Sequence, residues 1–185
     1  MPALRIARAT SLALLLGMAA VAPLPFVGEA QAQAQDAGWS LRVDRTTGYR
    51  VEVPLALLQP VEAGPDDPRS VQSFASADGS ALLETYAGAN LDNMSLDGFM
   101  DFLASADRIA EVTYSRNGRS WFVLSGYYRR AGYEDESLIF YAKFMFTPGL
   151  ERFSAFEISY PAAQRNLYDP VVERIEDSLR APMAG

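Results

Sequence analysis

The chain has 185 residues, 49% hydrophobic and 21% charged, with 16 basic against 23 acidic side chains and a formal net charge of −7. It has no histidine and no cysteine, which excludes Ser-His-Asp and Cys-His catalysis, histidine- and thiolate-based zinc sites, disulfides and an imidazole pH switch. The charge argues against nucleic acid and anionic membrane surfaces as partners, and the length suits one domain with its own core.

Residues 1–34 read as a signal peptide. Arg5 and Arg8 precede an apolar run, "SLALLLGMAAVA" from Ser11 to Ala22, and Pro23 and small residues lead into "AQAQAQ". This is the three-part pattern of a secretory signal, and the run falls short of the roughly 20 residues of a membrane span. Ala30-Gln31-Ala32 and Ala32-Gln33-Ala34 both fit a cleavage site, so a start near Gln33 or Gln35 is expected. Cleavage after Ala34 removes Arg5, Arg8 and Glu29, which makes the net charge one unit more negative. No cysteine is present to carry a lipid anchor. The expected location is the periplasm or the medium, with no membrane span after cleavage.

Residues 35–47 hold a polar leader and a first short strand. The folded domain is expected over 48–180, with 181–185 as a C-terminal tail. "WSLRVDRTTGYRVEVP" predicts two strands with a turn at Thr46-Thr47-Gly48, and Tyr49, Val51 and Val53 share one side of the second. "LLQPVEAGPDDPRS" reads as a loop. "SVQSFASADGSALLETYAG" reads as a hairpin turning at Ala77-Asp78-Gly79. "NMSLDGFMDFLASAD" predicts a helix capped by Ser95, with Asp97 at the positive end of its dipole. Leu96, Phe99, Met100 and Leu103 form its apolar stripe. As a core residue, Leu103 would cost roughly 2–5 kcal/mol on truncation to Ala.

"IAEVTYSRNGRSWFVLSGYYRR" predicts a hairpin with a type I′ turn at Asn117-Gly118. "SLIFYAKFMF" and "RFSAFEISYP" follow as strands separated by Pro148-Gly149. "YDPVVERIEDSLR" predicts a closing helix with Asp169 as N-cap and Pro170 in the first position. Its stripe is Tyr168, Val171, Val172, Ile175 and Leu179.

"SWFVLSGYYRR", Ser120 to Arg130, decides the architecture. If Arg129 faces Glu136, one sheet face carries Trp121, Val123, Ser125, Tyr127, Leu138, Phe140, Ala142 and Phe144. The other carries Phe122, Leu124, Gly126, Tyr128, Ile139, Tyr141, Lys143 and Met145. Neither face is polar enough to stay wet, whereas antiparallel sheets usually leave one face solvated. The expected fold is therefore α+β: an α/β/α sandwich with a central antiparallel sheet covered by helices on both faces. Gly126 is expected to admit a close helix or mark a bulge. Ser125 reads as a small core residue, because the one lysine, Lys143, lies across the sheet from it in this register and no other base is at hand.

Few other residues mark out chemistry. Glu62, Asp66 and Asp67 share one loop and could ligate a divalent cation, but they lack EF-hand spacing and read as a solvated acidic loop; no metal and no cofactor is expected. No P-loop or dinucleotide fingerprint occurs. Lys143 could be a buried functional amine, or a lysine whose stem covers apolar surface. "YYRRAGYEDE" sets Tyr133 beside Arg129, Arg130, Glu134 and Asp135. That is either a partner-binding patch, since Tyr and Arg are enriched at interface hot spots, or a hairpin tip with cross-strand Arg–Glu pairs.

The order "YRVEVP", "FASADGSALLETYAG", "SLDGFMDFL", "WFVLSGYY", "FYAKF", "YP", "VVERIEDSLR" resembles the PsbP-like family, whose fold is shared by a photosystem II extrinsic subunit and a Ran-binding nuclear import factor. The resemblance spans Gly48 to Arg180 and is closest to small exported bacterial members. It implies the α/β/α sandwich and a non-enzymatic accessory or protein-binding role in the cell envelope. Another envelope protein is the implied partner. Two rival readings stay open: a carboxylate-based envelope hydrolase, which needs two acids converging in a cleft, and a carrier of a small apolar ligand, which needs a sizeable apolar pocket.

Overall fold

The computed structural model describes residues 37–62, 71–129 and 138–183. The signal segment, Asp66, Asp67 and the tip residues Arg130, Tyr133, Glu134 and Asp135 lie outside the described residues.

The chain folds as an α+β structure, mostly antiparallel sheet with two helices. Strands β1 (Trp39–Val43) and β2 (Arg50–Pro54) pair as a separate hairpin. The main sheet holds β3 (Gln59–Val61), β4 (Val71–Ala75), β5 (Leu82–Ala89), β6 (Ile109–Asn117), β7 (Trp121–Tyr128), β8 (Leu138–Phe146) and β9 (Arg152–Pro161). Its order is β3-β4-β5-β9-β8-β7-β6, antiparallel throughout. Helix α1 (Leu96–Ala104) connects β5 to β6, and α2 (Arg165–Ser178) follows β9 through a short 3₁₀ turn.

The late strand β9 lies between β5 and β8, so both of its edges are hydrogen-bonded. Alternation sends Phe156, Ile158 and Tyr160 to one side and Phe153 and Ala155 to the other. The first side joins Tyr49, Val51 and Val53 of the hairpin with Tyr168, Val171, Val172, Ile175 and Leu179 of the α2 segment, all buried. The second side joins Phe122, Phe140, Phe144 and Phe146, against which Leu96, Phe99, Met100 and Leu103 of α1 pack. Each such buried apolar side chain stabilises the fold by about 1.5–3 kcal/mol. Arg174 of α2 ties the hairpin down, bonding Glu52 at 2.8 Å and lying 4.3 Å from the centre of the Trp39 ring.

Several expectations need correction. Tyr128 pairs with Leu138 and Trp121 with Met145, one residue away from the register in which Arg129 faces Glu136. A slip of one exchanges every side chain of β8 between faces. Phe140 and Phe144 therefore share a side with Phe122 and Tyr128, while Tyr141 and Lys143 share one with Ser125. The physical reason is that alternation within each strand leaves the offset between the two strands open.

Asn117-Gly118 does not form a type I′ turn. Asn117 pairs with Phe122 and the Gly118 N–H donates to the Trp121 carbonyl at 2.8 Å. The corner is thus Arg119-Ser120, and neither Asn117 nor Gly118 adopts the positive φ that a type I′ turn requires. Helix α2 starts a turn before Asp169, leaving Pro170 inside it. Burial of Tyr168, stacked 5.0 Å from Tyr160, outweighs the loss of one backbone hydrogen bond worth about 1 kcal/mol. Part of the expected loop, Gln59–Val61, is edge strand β3, where Pro60 is tolerated. Ser95 caps α1 as expected, its hydroxyl accepting from the Gly98 N–H at 3.1 Å. The α1 stripe is only half-buried.

Candidate functional site

Arg129 is the one residue of the expected hairpin-tip patch among the described residues. Its Nε donates to the Ile109 carbonyl at 3.0 Å, which fastens the end of β7 to the start of β6. Neither the patch nor the cross-strand Arg–Glu pairing can be read from this bond, since it joins Arg129 to backbone on the opposite neighbour.

A second surface was not singled out from the sequence. On the side of the sheet that α2 covers, the helix leaves a groove of about 450 Å³ along β6 and β7. Tyr114, 48% exposed, stands on the strand side. Arg165, Asp169, Glu173 and Glu176 line the helix side, and Arg165 pairs with Asp169 at 3.4 Å. Glu176 accepts a hydrogen bond from the Tyr141 hydroxyl and pairs with Lys143 at 3.2 Å, and Asp169 accepts from the Tyr160 hydroxyl at 2.9 Å. Burial, and then the bond to Glu176, raises the Tyr141 phenol well above its ordinary value; burial and Asp169 do the same for Tyr160. Both phenols therefore stay neutral hydrogen-bond donors. The groove sets three carboxylates, two of them ion-paired with Arg165 and Lys143, over an aromatic floor.

Ser125 and Lys143 share this face, contrary to the expected register. The Ser125 hydroxyl donates to the Phe140 carbonyl at 2.9 Å, and Lys143 is held by the Glu176 side chain and carbonyl, both at 3.2 Å. The pair therefore does not form a nucleophile and its base.

The opposite side holds another cluster. Glu157 of β9 accepts from Arg108 at 3.0 Å through one oxygen and from the Tyr128 hydroxyl through the other. Arg108 also lies 5.6 Å from the centre of the Tyr128 ring. Glu84 of β5 is the direct ladder partner of Glu157, so two acids do converge. Both Glu157 oxygens are engaged by donors. The signal for Glu157 was present: in "FSAFEIS" it occupies a position that alternation points inward, where an unpaired charge is costly. Its partners lie 49 and 29 residues away, beyond the reach of local pattern.

Among the described residues no three acidic side chains are grouped to hold a metal. Glu62, the one described member of the acidic loop, is exposed. No helix among them is long and apolar enough to cross a membrane.

No protein-family model and no curated protein matches the sequence. Solved structures do match. Cyanobacterial PsbP (CyanoP) from Synechocystis sp. superposes with a TM-score of 0.57 at 13% identity, over 77% of this chain and 92% of that one. The chain has a PsbP/Mog1-like fold. The Saccharomyces cerevisiae Ran-binding protein Mog1p gives a TM-score of 0.54 at 9% identity, over 77% of this chain and 94% of its own. A Mog1 mutant gives 0.54 at 7% identity. At such identities the PsbP/Mog1-like fold transfers and individual site residues do not.

Proposed function

We propose that this chain is an exported, non-enzymatic accessory or protein-binding module of the bacterial cell envelope, built as a helix–sheet–helix sandwich. The packing of α1 and α2 into two separate core clusters supports the layering. The observation that carries the binding role is the groove beside α2, where Asp169, Glu173 and Glu176 stand over Tyr114 and Tyr141. Carboxylates fixed beside aromatic faces suit an arginine-bearing segment of another protein, because a guanidinium pairs with the acids and stacks on the rings. A precedent of the same fold is the Mog1 neighbour, a Ran-binding protein. The hairpin-tip residues Tyr133, Arg129, Arg130, Glu134 and Asp135 remain candidate contacts at the end of β7 and β8. The N-terminal signal pattern supports export.

Affinity capture from envelope extract tests this reading. Wild-type protein is expected to retain a discrete partner that the double variant Tyr114→Ala with Glu173→Arg loses, at unchanged thermal stability. Equal capture by both would refute the groove, and loss only with Tyr133→Ala plus Arg130→Ala would place the contact at the tip. Cell fractionation that finds intact Met1 on a cytoplasmic protein would remove the envelope assignment.

A further inference from the structure

The outer edges of the two sheets are not treated alike. In the main sheet, edge strand β3 carries Pro60 and edge strand β6 shifts register twice, both recognised guards against strand addition. In the hairpin, β2 is bridged to Arg180 on its outer side. Strand β1 carries neither proline nor bulge and pairs with β2 over five residues in unbroken register. The ladder tells which groups face its free edge. Asp44 donates to the Tyr49 carbonyl and Leu55 to the Gly38 carbonyl. Counting by twos between these bonds, Ser40 and Arg42 turn their backbone groups toward β2, and Leu41 and Val43 turn theirs away. No described residue receives the backbone groups of Leu41 and Val43. Their side chains are 56% and 47% exposed. On the other face of β1, the Nε of Arg42 is buried with no hydrogen-bond partner among the described residues, whereas buried donors are normally satisfied.

We infer that β1 pairs antiparallel with β1 of a second copy of this chain, about a twofold axis through Leu41. A twofold contact presents the same patch from both sides, so the strand must complement itself. Leu41 on the axis closes two backbone hydrogen bonds with Leu41 of the second copy. The same register sets Val43 opposite Trp39 and Arg42 opposite Ser40, with no like charges opposed. Opposed Cβ atoms lie about 4.5–5.5 Å apart, so the Ser40 hydroxyl of one copy can accept from the Arg42 Nε of the other. That donor selects both occupant and register. An apolar strand would leave it unmet. An axis on Arg42 would oppose two arginines, which is unfavourable, and an axis on Ser40 would set Arg42 against Gly38, which has no side-chain acceptor. Trp39 enters only as side-chain surface; the two bonds on the axis come from Leu41 alone.

Sedimentation velocity of the purified protein tests the proposal. A five-residue strand makes an interface below the standard size, so a monomer–dimer equilibrium with a dissociation constant of roughly 10–100 µM is expected. Leu41→Asp, a change at an exposed position that sets two like charges on the axis, is expected to abolish the dimer at unchanged thermal stability. Ser40→Ala is expected to weaken it by about tenfold or more, the scale of a lost hydrogen bond to a charged group. The chain has no native cysteine, so single cysteines report the register. Leu41→Cys is expected to oxidise to a covalent dimer much faster than Val43→Cys, because only the axial position comes within the roughly 4.4–6.8 Å Cα separation of a disulfide. The proposal is overturned if the protein stays monomeric up to about 1 mM, where such a complex would be mostly formed. It is equally overturned if Leu41→Asp or Ser40→Ala dimerises like the wild type, or if the two cysteine variants cross-link at the same rate. A monomer whose capture of an envelope partner is lost with Leu41→Asp would mean that the edge serves a different protein, and overturns it too. No β1 residue lines the groove beside α2, so the groove variant is expected to dimerise as the wild type does, and the two sites fail independently.

Discussion

Gly126 occupies a point on β7 that a side chain would collide with. A Cβ there would come within 1.9 Å of the Glu111 carbonyl oxygen and 2.9 Å of Val112 Cα. These residues flank the register shifts in β6, where the ladder skips between Ile109 and Glu111 and between Val112 and Tyr114. The close neighbour is thus a bulged strand rather than a helix. Backbone cannot swing aside as a side chain tip can, so Gly126→Ala is expected to cost about 1–3 kcal/mol, the usual range for overpacking. Urea unfolding measures it, and a midpoint equal to wild type would show that β6 yields freely. The same bulges twist a nine-residue edge strand, a recognised guard against strand-on-strand association.

At the scale of elements the two helices divide unequally. Both stripes were legible, because a 3.6-residue period survives whatever the tertiary context. Depth was not legible. Helix α2 buries Tyr168, Val171, Val172 and Ile175, while α1 buries no residue fully. One has the hairpin and the sheet around it; the other lies on the sheet with its far side in water, where Phe102 is 61% exposed. Ile175→Ala is therefore expected to cost about 2–5 kcal/mol. For Leu103→Ala the half-buried position lowers the expected loss to about 1–2 kcal/mol, below the core value that its stripe implied. Chemical denaturation of both variants checks the order, and equal losses would contradict it. The strand register failed for a related reason. Alternation within "WFVLSGYY" and within "FYAKF" was right, but the offset between them depends on the geometry of their connection, which composition does not encode.

At the scale of the whole molecule, three tyrosine–carboxylate bonds among the described residues staple separate elements: Tyr128 to Glu157, Tyr141 to Glu176 and Tyr160 to Asp169. No local pattern shows such pairs, since each joins residues whose nearness is created by the fold; hence the fold was largely legible and the site was not. All three phenols are raised above the ordinary value of 10.0, chiefly by burial. A raised folded-state value means that the folded protein holds these protons more tightly than the unfolded chain. The associated stability is present below about pH 10 and is lost as pH rises beyond it. Tyrosine absorbance near 295 nm is expected to show these three ionising only together with loss of the circular dichroism signal. Full ionisation near pH 10 with the fold intact would count against the staples.

The clasp between the first hairpin and the residues after α2 governs when folding can finish. Arg180 pairs with Arg50, the Met183 N–H donates to the Thr47 carbonyl at 2.9 Å, and the Ser178 hydroxyl accepts from the Glu52 N–H 126 positions earlier. Gly48, at φ 76, lies under the Met183 side chain, where a Cβ would come within 2.7 Å of it. Tyr49, Val51 and Val53 are made early, yet part of their cover arrives last. Until Ile175 and Leu179 have emerged, the hairpin can bury only against the strand residues of its cluster, among them Phe74, Leu83, Phe156 and Ile158, and loop closure over so long a span is slow. A chain wired this way completes its first core only once its final helix has been made.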